Sequence, residues 1–184
     1  SSKHMNKLDP NSSSIMEQQK DSQPKWEAKV STTLHKASAD QIFSLFKDFF
    51  GLNKWFPSLS TCYGIHGENG EAGCVRYCTG FSLPPERGGG ATGESPVSGW
   101  SKERLVAIDP IERILSYEMV DCNIGFKSYF STVKIVPNGD DGCVIEWFIT
   151  VDPVEGMRLE DLVNKYDVGL QGMAKNMENA LTSS

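Results

Sequence analysis

Three polar side chains stand where an apolar wall is expected. Glu103, in the segment WSKERLVAID, shares the alternating parity of Leu105 and Ala107, while Lys102 and Arg104 take the other face. With Leu105 and Ala107 facing a core, Glu103 is a carboxylate turned inward, and burial disfavours its charged form unless a partner compensates. Arg76, in GCVRYCTGF, is in phase with the small residues Cys74, Cys78 and Gly80, and it can supply that partner if the two segments pair. Its own parity is divided. Val75, Tyr77 and Phe81, on the opposite face, are the more apolar set, and pattern alone leans toward a surface arginine. Tyr129 is in phase with Val133 and Ile135. It is either a core tyrosine, the reading pattern favours, or a phenol presented to a ligand, and a buried phenol needs a hydrogen-bond partner. A carboxyl, a guanidinium and a phenol around one apolar chamber can move protons without a metal or a nucleophile. The carboxyl takes or gives the proton, the guanidinium holds an oxygen and the phenol orients or relays.

These residues need a sheet to carry them. WEAKVSTTL (26–34) alternates as a half-buried strand. Ser38 and Gln41 then form a capping box, and Ile42, Leu45, Phe46, Phe49 and Phe50 recur at helical spacing. This predicts a helix over 38–49 and another turn or two near 51–56, closed by Pro57. Six strands follow, over 58–66, 73–81, 99–109, 113–121, 127–136 and 143–152, separated by turn sequences such as GENGEAG, DPIE and NGDDG. Short links favour an antiparallel meander. The exception is 82–99, a long connection full of glycine and proline, which reads as a mobile loop. In the last strand Ile145, Trp147, Ile149 and Val151 share one face and Glu146 points outward.

From about Met157 to Leu181 one apolar stripe (Leu159, Leu162, Val163, Tyr166, Leu170, Met173, Met177, Leu181) marks a long amphipathic helix. Gly169 and Gly172 weaken it by about 1 kcal/mol each relative to Ala and allow a bend or a close approach. The fold class is therefore α+β: a curved seven-stranded antiparallel sheet around a long C-terminal helix, with two short helices. A sheet wrapped on one helix can leave a cavity for an apolar small molecule. Phe81, Trp147, Met173 and Met177 are its expected lining, methionine being an adaptable wall.

The rest of the sequence narrows the choice. Its 184 residues carry a net charge of −6 and no basic run, which argues against a nucleic-acid partner. No stretch approaches the roughly 20 apolar residues of a membrane span. Residues 1–15 read as an expression leader, Met16 as the native start, 16–25 as a disordered polar tail and 26–184 as one domain. No secretory signal follows Met16, so a cytoplasmic protein is expected. Five cysteines at irregular spacing, with no CxxC pair, read as reduced thiols. His35 and His66 sit in no ligand motif, so no metal is expected. GGGATG lacks the ending of a phosphate loop, and no cofactor is indicated. Nothing in the sequence fixes an oligomeric state.

Several blocks taken together, KDFFGLNKWFPSLSTC (47–62), GCVRY (73–77), WSKERLVAID (100–109), SYEMVDCNIGFKSYFSTVKI (116–135) and VEGM (154–157), resemble the plant lachrymatory-factor synthase family. That family lies within the START-like, pollen-allergen-like helix-grip superfamily, which also includes polyketide cyclases and abscisic-acid receptors. The resemblance runs from about Trp26 to the C-terminal helix. It implies a helix-grip (START-like) domain and a cofactor-free isomerase that converts an alkenyl sulfenic acid into a thial S-oxide. The family's arginine falls at Arg76, its glutamate at Glu103 and its pocket tyrosine at Tyr129, and this turns Arg76 inward. Glu103 would shuttle the proton from sulfenic oxygen to carbon while Arg76 holds the oxygen. The 82–99 loop departs from the family pattern, being longer and richer in glycine where the superfamily places a gate. It also lacks the Ser-Gly-Leu-Pro-Ala gate of the abscisic-acid receptors. The alternative function is a non-catalytic carrier or sensor of a hydrophobic small molecule such as a lipid, hormone or polyketide-like compound.

Overall fold

The first strand, β1 (Trp26–Leu34), turns Ala28, Val30 and Leu34 into the core and leaves Glu27 and Lys29 in water. The computed structural model describes residues 24–81 and 99–183; the expected leader, nearly all of the tail and the 82–98 part of the loop lie outside the described residues. After β1 the capping box forms as the sequence predicts. Ser38 Oγ accepts from the Gln41 backbone N–H at 3.2 Å, and Gln41 Oε1 accepts from the Ser38 N–H at 2.9 Å. Helix α1 (Ala39–Lys47) buries Ala39, Ile42, Phe43 and Phe46. It stops before the expected residue 49, because Asp48 leaves helical geometry and its carboxylate accepts from Lys54 and Asn69, at 2.8 and 2.7 Å. A 3₁₀ segment, Phe49–Lys54, follows and places Phe49 in the core.

The remaining strands are β2 (Thr61–His66), β3 (Val75–Phe81), β4 (Gly99–Asp109), β5 (Ile114–Cys122), β6 (Phe130–Asn138) and β7 (Gly142–Val151). They form one antiparallel sheet in the order β1-β7-β6-β5-β4-β3-β2. Consecutive strands pair throughout the meander, and β1 adds to the far side of β7. Two strands, β2 and β6, start three residues later than the sequence pattern suggests. β2 begins at Thr61, since Leu59 is still held in a turn by Phe56. β6 begins at Phe130, since Ser128 takes a left-handed φ of 55° that breaks the pleat. At the end of β3, Gly80 has φ +110°, and a Cβ there would lie 2.5 Å from the Ser58 carbonyl, so only glycine fits this bulge.

Helix α2 (Leu159–Thr182) lies on the sheet and buries Leu162, Leu170, Met173, Ala174 and Met177. Each leucine or methionine among them taken from water is worth about 1.5–3 kcal/mol. Polar contacts fix its position. Thr32 Oγ1 donates to Gln171 Oε1 at 2.7 Å, the Lys36 N–H donates to Glu178 at 2.9 Å, and Asn176 donates to the Trp55 carbonyl at 3.0 Å. A Cβ at Gly169 would meet the Phe56 ring at close range, whereas one at Gly172 would meet nothing within 4 Å among the described residues outside its own helix backbone. The fold is the α+β helix-grip arrangement expected from the sequence.

Candidate functional site

The register of β3 and β4 sets Arg76 directly opposite Glu103. Both are buried, at 4% and 5% exposure. Arg76 Nε and Nη2 donate to Glu103 Oε1 at 2.8 and 2.7 Å, and Nη1 donates to the Phe49 carbonyl at 3.0 Å. Ser101, two residues along β4 and on the same face, donates its hydroxyl to Glu103 Oε2 at 2.9 Å. The guanidinium lies 3.8 Å over the Phe49 ring and 4.9 Å over that of Tyr117. Burial alone would lower the pKa of Arg76. The Glu103 carboxylate and the neighbouring thiol and phenol groups carry it above its ordinary value. The arginine is thus a buried, ion-paired group, against the surface reading that its strand pattern leaned toward. The small side chains in phase with it, Cys74 and Cys78, leave room for it.

Three phenols continue the polar line from Glu103 toward α2. Tyr166 donates its hydroxyl to that of Tyr129 at 2.9 Å, and the Tyr129 and Tyr117 hydroxyls are 3.5 Å apart. Their rings, with Phe126 stacked on Tyr129 at 5.6 Å, form a continuous aromatic run. Burial pushes the Tyr117 phenol up to about 12, with the Glu103 charge adding to it, and raises Tyr129 and Tyr166 well above their ordinary range. All three are neutral hydrogen-bonding groups at physiological pH. Trp147 packs edge-on against Tyr166 and donates its indole N–H to Ser131.

A cavity of about 460 Å³ opens beside these groups, between the sheet, the 3₁₀ segment and α2. Its size lies within the roughly 300–1,000 Å³ of ordinary small-molecule sites. Glu103, Tyr117, Tyr129 and Tyr166 supply its polar wall; Phe81, Ile124, Phe126, Trp147, Met157 and Met173 supply much of its apolar wall. Ser58 and Val168 stand at the rim, with Lys165, whose amine burial lowers below its ordinary value.

Of the residues expected at the site, Glu103, Tyr129, Phe81, Trp147 and Met173 border the cavity. Two do not. Met177 lies one turn beyond Met173, where Leu45 and Phe46 of α1 fill the space, and it borders a separate void of about 20 Å³. Arg76 borders that same small void and is screened from the cavity by Glu103 and Tyr117. The sequence reading missed Ser101, Tyr117 and Tyr166. Ser101 shares the parity of Glu103, and Tyr117 that of Leu115, so the same alternation rule finds both. Tyr166 reads as one more member of the helix's apolar stripe. Among the described residues, no group of three or more His, Cys, Asp or Glu side chains is placed to hold a metal ion. No described helix is long and apolar enough to cross a membrane.

Solved structures share this architecture at low sequence identity. A protein from Thermobifida fusca matches with a TM-score of 0.64 and 23% identity, over 85% of this chain and 95% of its own. Ginseng major latex-like protein 151 from Panax ginseng matches at 0.63 and 19%, over 84% and 97%. XoxI from Bacillus cereus matches at 0.61 and 21%, over 84% and 94%. These likenesses establish the fold. The profile of one family, described as polyketide cyclase / dehydrase and lipid transport, matches residues 25–178. That match spans well over half of the chain, and the chain belongs to the polyketide cyclase / dehydrase and lipid transport family.

Proposed function

We propose that this chain is a cofactor-free isomerase of the lachrymatory-factor synthase type, which binds a small apolar substrate in the cavity and transfers a proton with Glu103. One observation carries the reading: a buried carboxylate forms part of the wall of an otherwise largely apolar chamber. Glu103 Oε1 already takes two Arg76 donors, whereas Oε2 takes one from Ser101. A carboxylate oxygen has about two acceptor positions, so Oε2 is the atom with capacity to take a proton. In the sulfenic acid reaction it takes the proton from the S–O–H oxygen and returns it to the alkene carbon that is not bonded to sulfur, while the C=C π pair shifts to form C=S and the oxygen stays on sulfur as the S-oxide. Arg76 orients the carboxylate and balances its charge. Its second task, holding the substrate oxygen, requires the side chains of Glu103 or Tyr117 to move aside, since they screen it from the cavity. The three neutral phenols supply hydrogen bonds that place the substrate's polar end. The test is product formation from freshly generated alkenyl sulfenic acid. Equal yields from wild type and Glu103→Gln would remove the catalytic role.

The mutual engagement of Arg76 and Glu103 favours a second reading, a carrier of an apolar small molecule, because a closed ion pair leaves the cavity chemically quiet. The family description covers lipid transport as well as catalysis. Native mass spectrometry after incubation with a plant extract separates the two: tight retention without turnover supports the carrier.

A further inference from the structure

The mechanism leaves unused a pair of thiols next to the ion pair. Cys62 of β2 and Cys78 of β3 are directly opposed in the strand register, and their sulfurs are 3.4 Å apart, Cys78 donating to Cys62. Opposed residues of an antiparallel pair have Cα atoms about 4.5–5.5 Å apart, inside the roughly 4.4–6.8 Å that a disulfide spans. No strand has to move for these sulfurs to bond. The other three cysteines have no sulfur neighbour among the described residues; Cys122, for example, donates to the Phe126 carbonyl.

The two thiols are also unequal. Cys78 is fully buried, while Cys62 is partly exposed, so a small oxidant meets Cys62 first. The Cys78 S–H bond draws the Cys62 thiol down to about 7, against burial, with help from the Arg76 guanidinium and a Leu52 backbone hydrogen bond and some opposition from Glu103. The same hydrogen bond and burial push Cys78 up. This is the division between an attacking thiolate and a resolving thiol.

We propose that Cys62 and Cys78 form a redox modification site at which a hydroperoxide converts Cys62 to a sulfenic acid and Cys78 closes it to a disulfide. In the first step the Cys62 thiolate attacks the peroxide, the O–O bond breaks, one oxygen bonds to sulfur and the other leaves as water or an alcohol. In the second step Cys78 gives up its proton and attacks the Cys62 sulfur; the S–O bond breaks, the S–S bond forms and water leaves. Two electrons pass from the thiols to the peroxide, and a dithiol reductant reverses the change. β2 is an edge strand whose one strand partner among the described residues is β3, so the disulfide ties down the sheet edge. Cys78 is opposed to Ser101, the residue that holds Glu103 Oε2. The modification therefore acts one strand away from the carboxylate.

The test uses the full chain, reduced, treated with equimolar hydrogen peroxide, then denatured and alkylated. The expected result is a loss of two hydrogens from the intact mass, two of the five thiols protected, a linked peptide containing Cys62 and Cys78, and reversal by dithiothreitol. Amide exchange across 61–66 slows in the oxidised form. Cys78→Ser leaves a Cys62 sulfenic acid that dimedone traps, and Cys122→Ser changes nothing. Five alkylated thiols, a link through any other cysteine, or Cys62 driven to sulfinic acid with Cys78 free would overturn the proposal. No readout depends on turnover, so the result is independent of the isomerase reading.

Discussion

Arg76 and Glu103 face each other across β3 and β4, and the guanidinium delivers two donors to a single oxygen, Glu103 Oε1. Removing one member leaves the other charged and buried, which costs about 3–5 kcal/mol, whereas replacing both with apolar residues of similar volume is often close to neutral. Arg76→Leu is therefore expected to lose about 3–5 kcal/mol in urea unfolding, and Arg76→Met combined with Glu103→Leu to recover most of it. A single variant as stable as wild type would mean that water reaches the pair.

Glu103→Gln keeps the shape of the wall and removes the proton acceptor. Turnover of a sulfenic acid is expected to fall by about 10²–10⁴-fold, the usual contribution of a general acid–base, with ligand binding retained. Ser101→Ala frees Oε2 of its one donor. Its turnover is expected to fall less than that of Glu103→Gln.

Tyr166 joins α2 to the sheet through the hydroxyl of Tyr129. Tyr166→Phe is expected to cost about 1 kcal/mol. The Tyr129→Phe cycle reports coupling between the two, because neighbours that share a bond are not additive. Strictly additive single variants would show the bond to be energetically silent.

Burial raises the Tyr117 phenol from its ordinary value of 10.0 to about 12. A neutral group with a raised folded pKa contributes stability that is whole below the unfolded pKa and is lost as pH climbs through the folded one. The Tyr117 contribution is therefore complete below pH 10 and disappears on approaching pH 12. Stability followed over this window in wild type and Tyr117→Phe should converge at the alkaline end. Phenolate absorbance should show Tyr117, Tyr129 and Tyr166 still protonated at pH 10.

Gly169 sits over the Phe56 ring, and an added Cβ would lie 2.7 Å from Cε2. Phe56 is half-buried and borders the cavity, so its ring can turn aside. Gly169→Ala gains about 1 kcal/mol of helix propensity and is expected to leave stability unchanged or slightly higher while weakening ligand binding. Calorimetry with an apolar fluorescent probe checks this. Unchanged affinity would show that Phe56 does not shape the entrance.

Much of the site was legible in the chain because strand alternation is a local rule. Glu103 shares parity with Leu105, and that alone turned it inward; Trp147 followed from Ile145 and Ile149. The capping box at Ser38 and Gln41 is equally local, since both hydrogen bonds lie within one turn. The antiparallel meander followed from the short turns, whereas the pairing of β3 with β4 across the long 82–99 connection and of β1 with β7 came from the tertiary structure. The family resemblance added the inward placement of Arg76, which its strand pattern left divided.

What the sequence could not decide was every contact between elements distant in the chain. Tertiary structure alone put the Phe49 carbonyl and ring on Arg76, set Tyr166 of a helix against Tyr129 of the sheet, and placed Met173 at the cavity but Met177 behind it. It also set Cys62 opposite Cys78, a pairing fixed by strand register and invisible in their spacing. The physical reason is that periodicity tells which face of an element is buried, while the partner that face meets depends on how the whole sheet curves and where the helix crosses it.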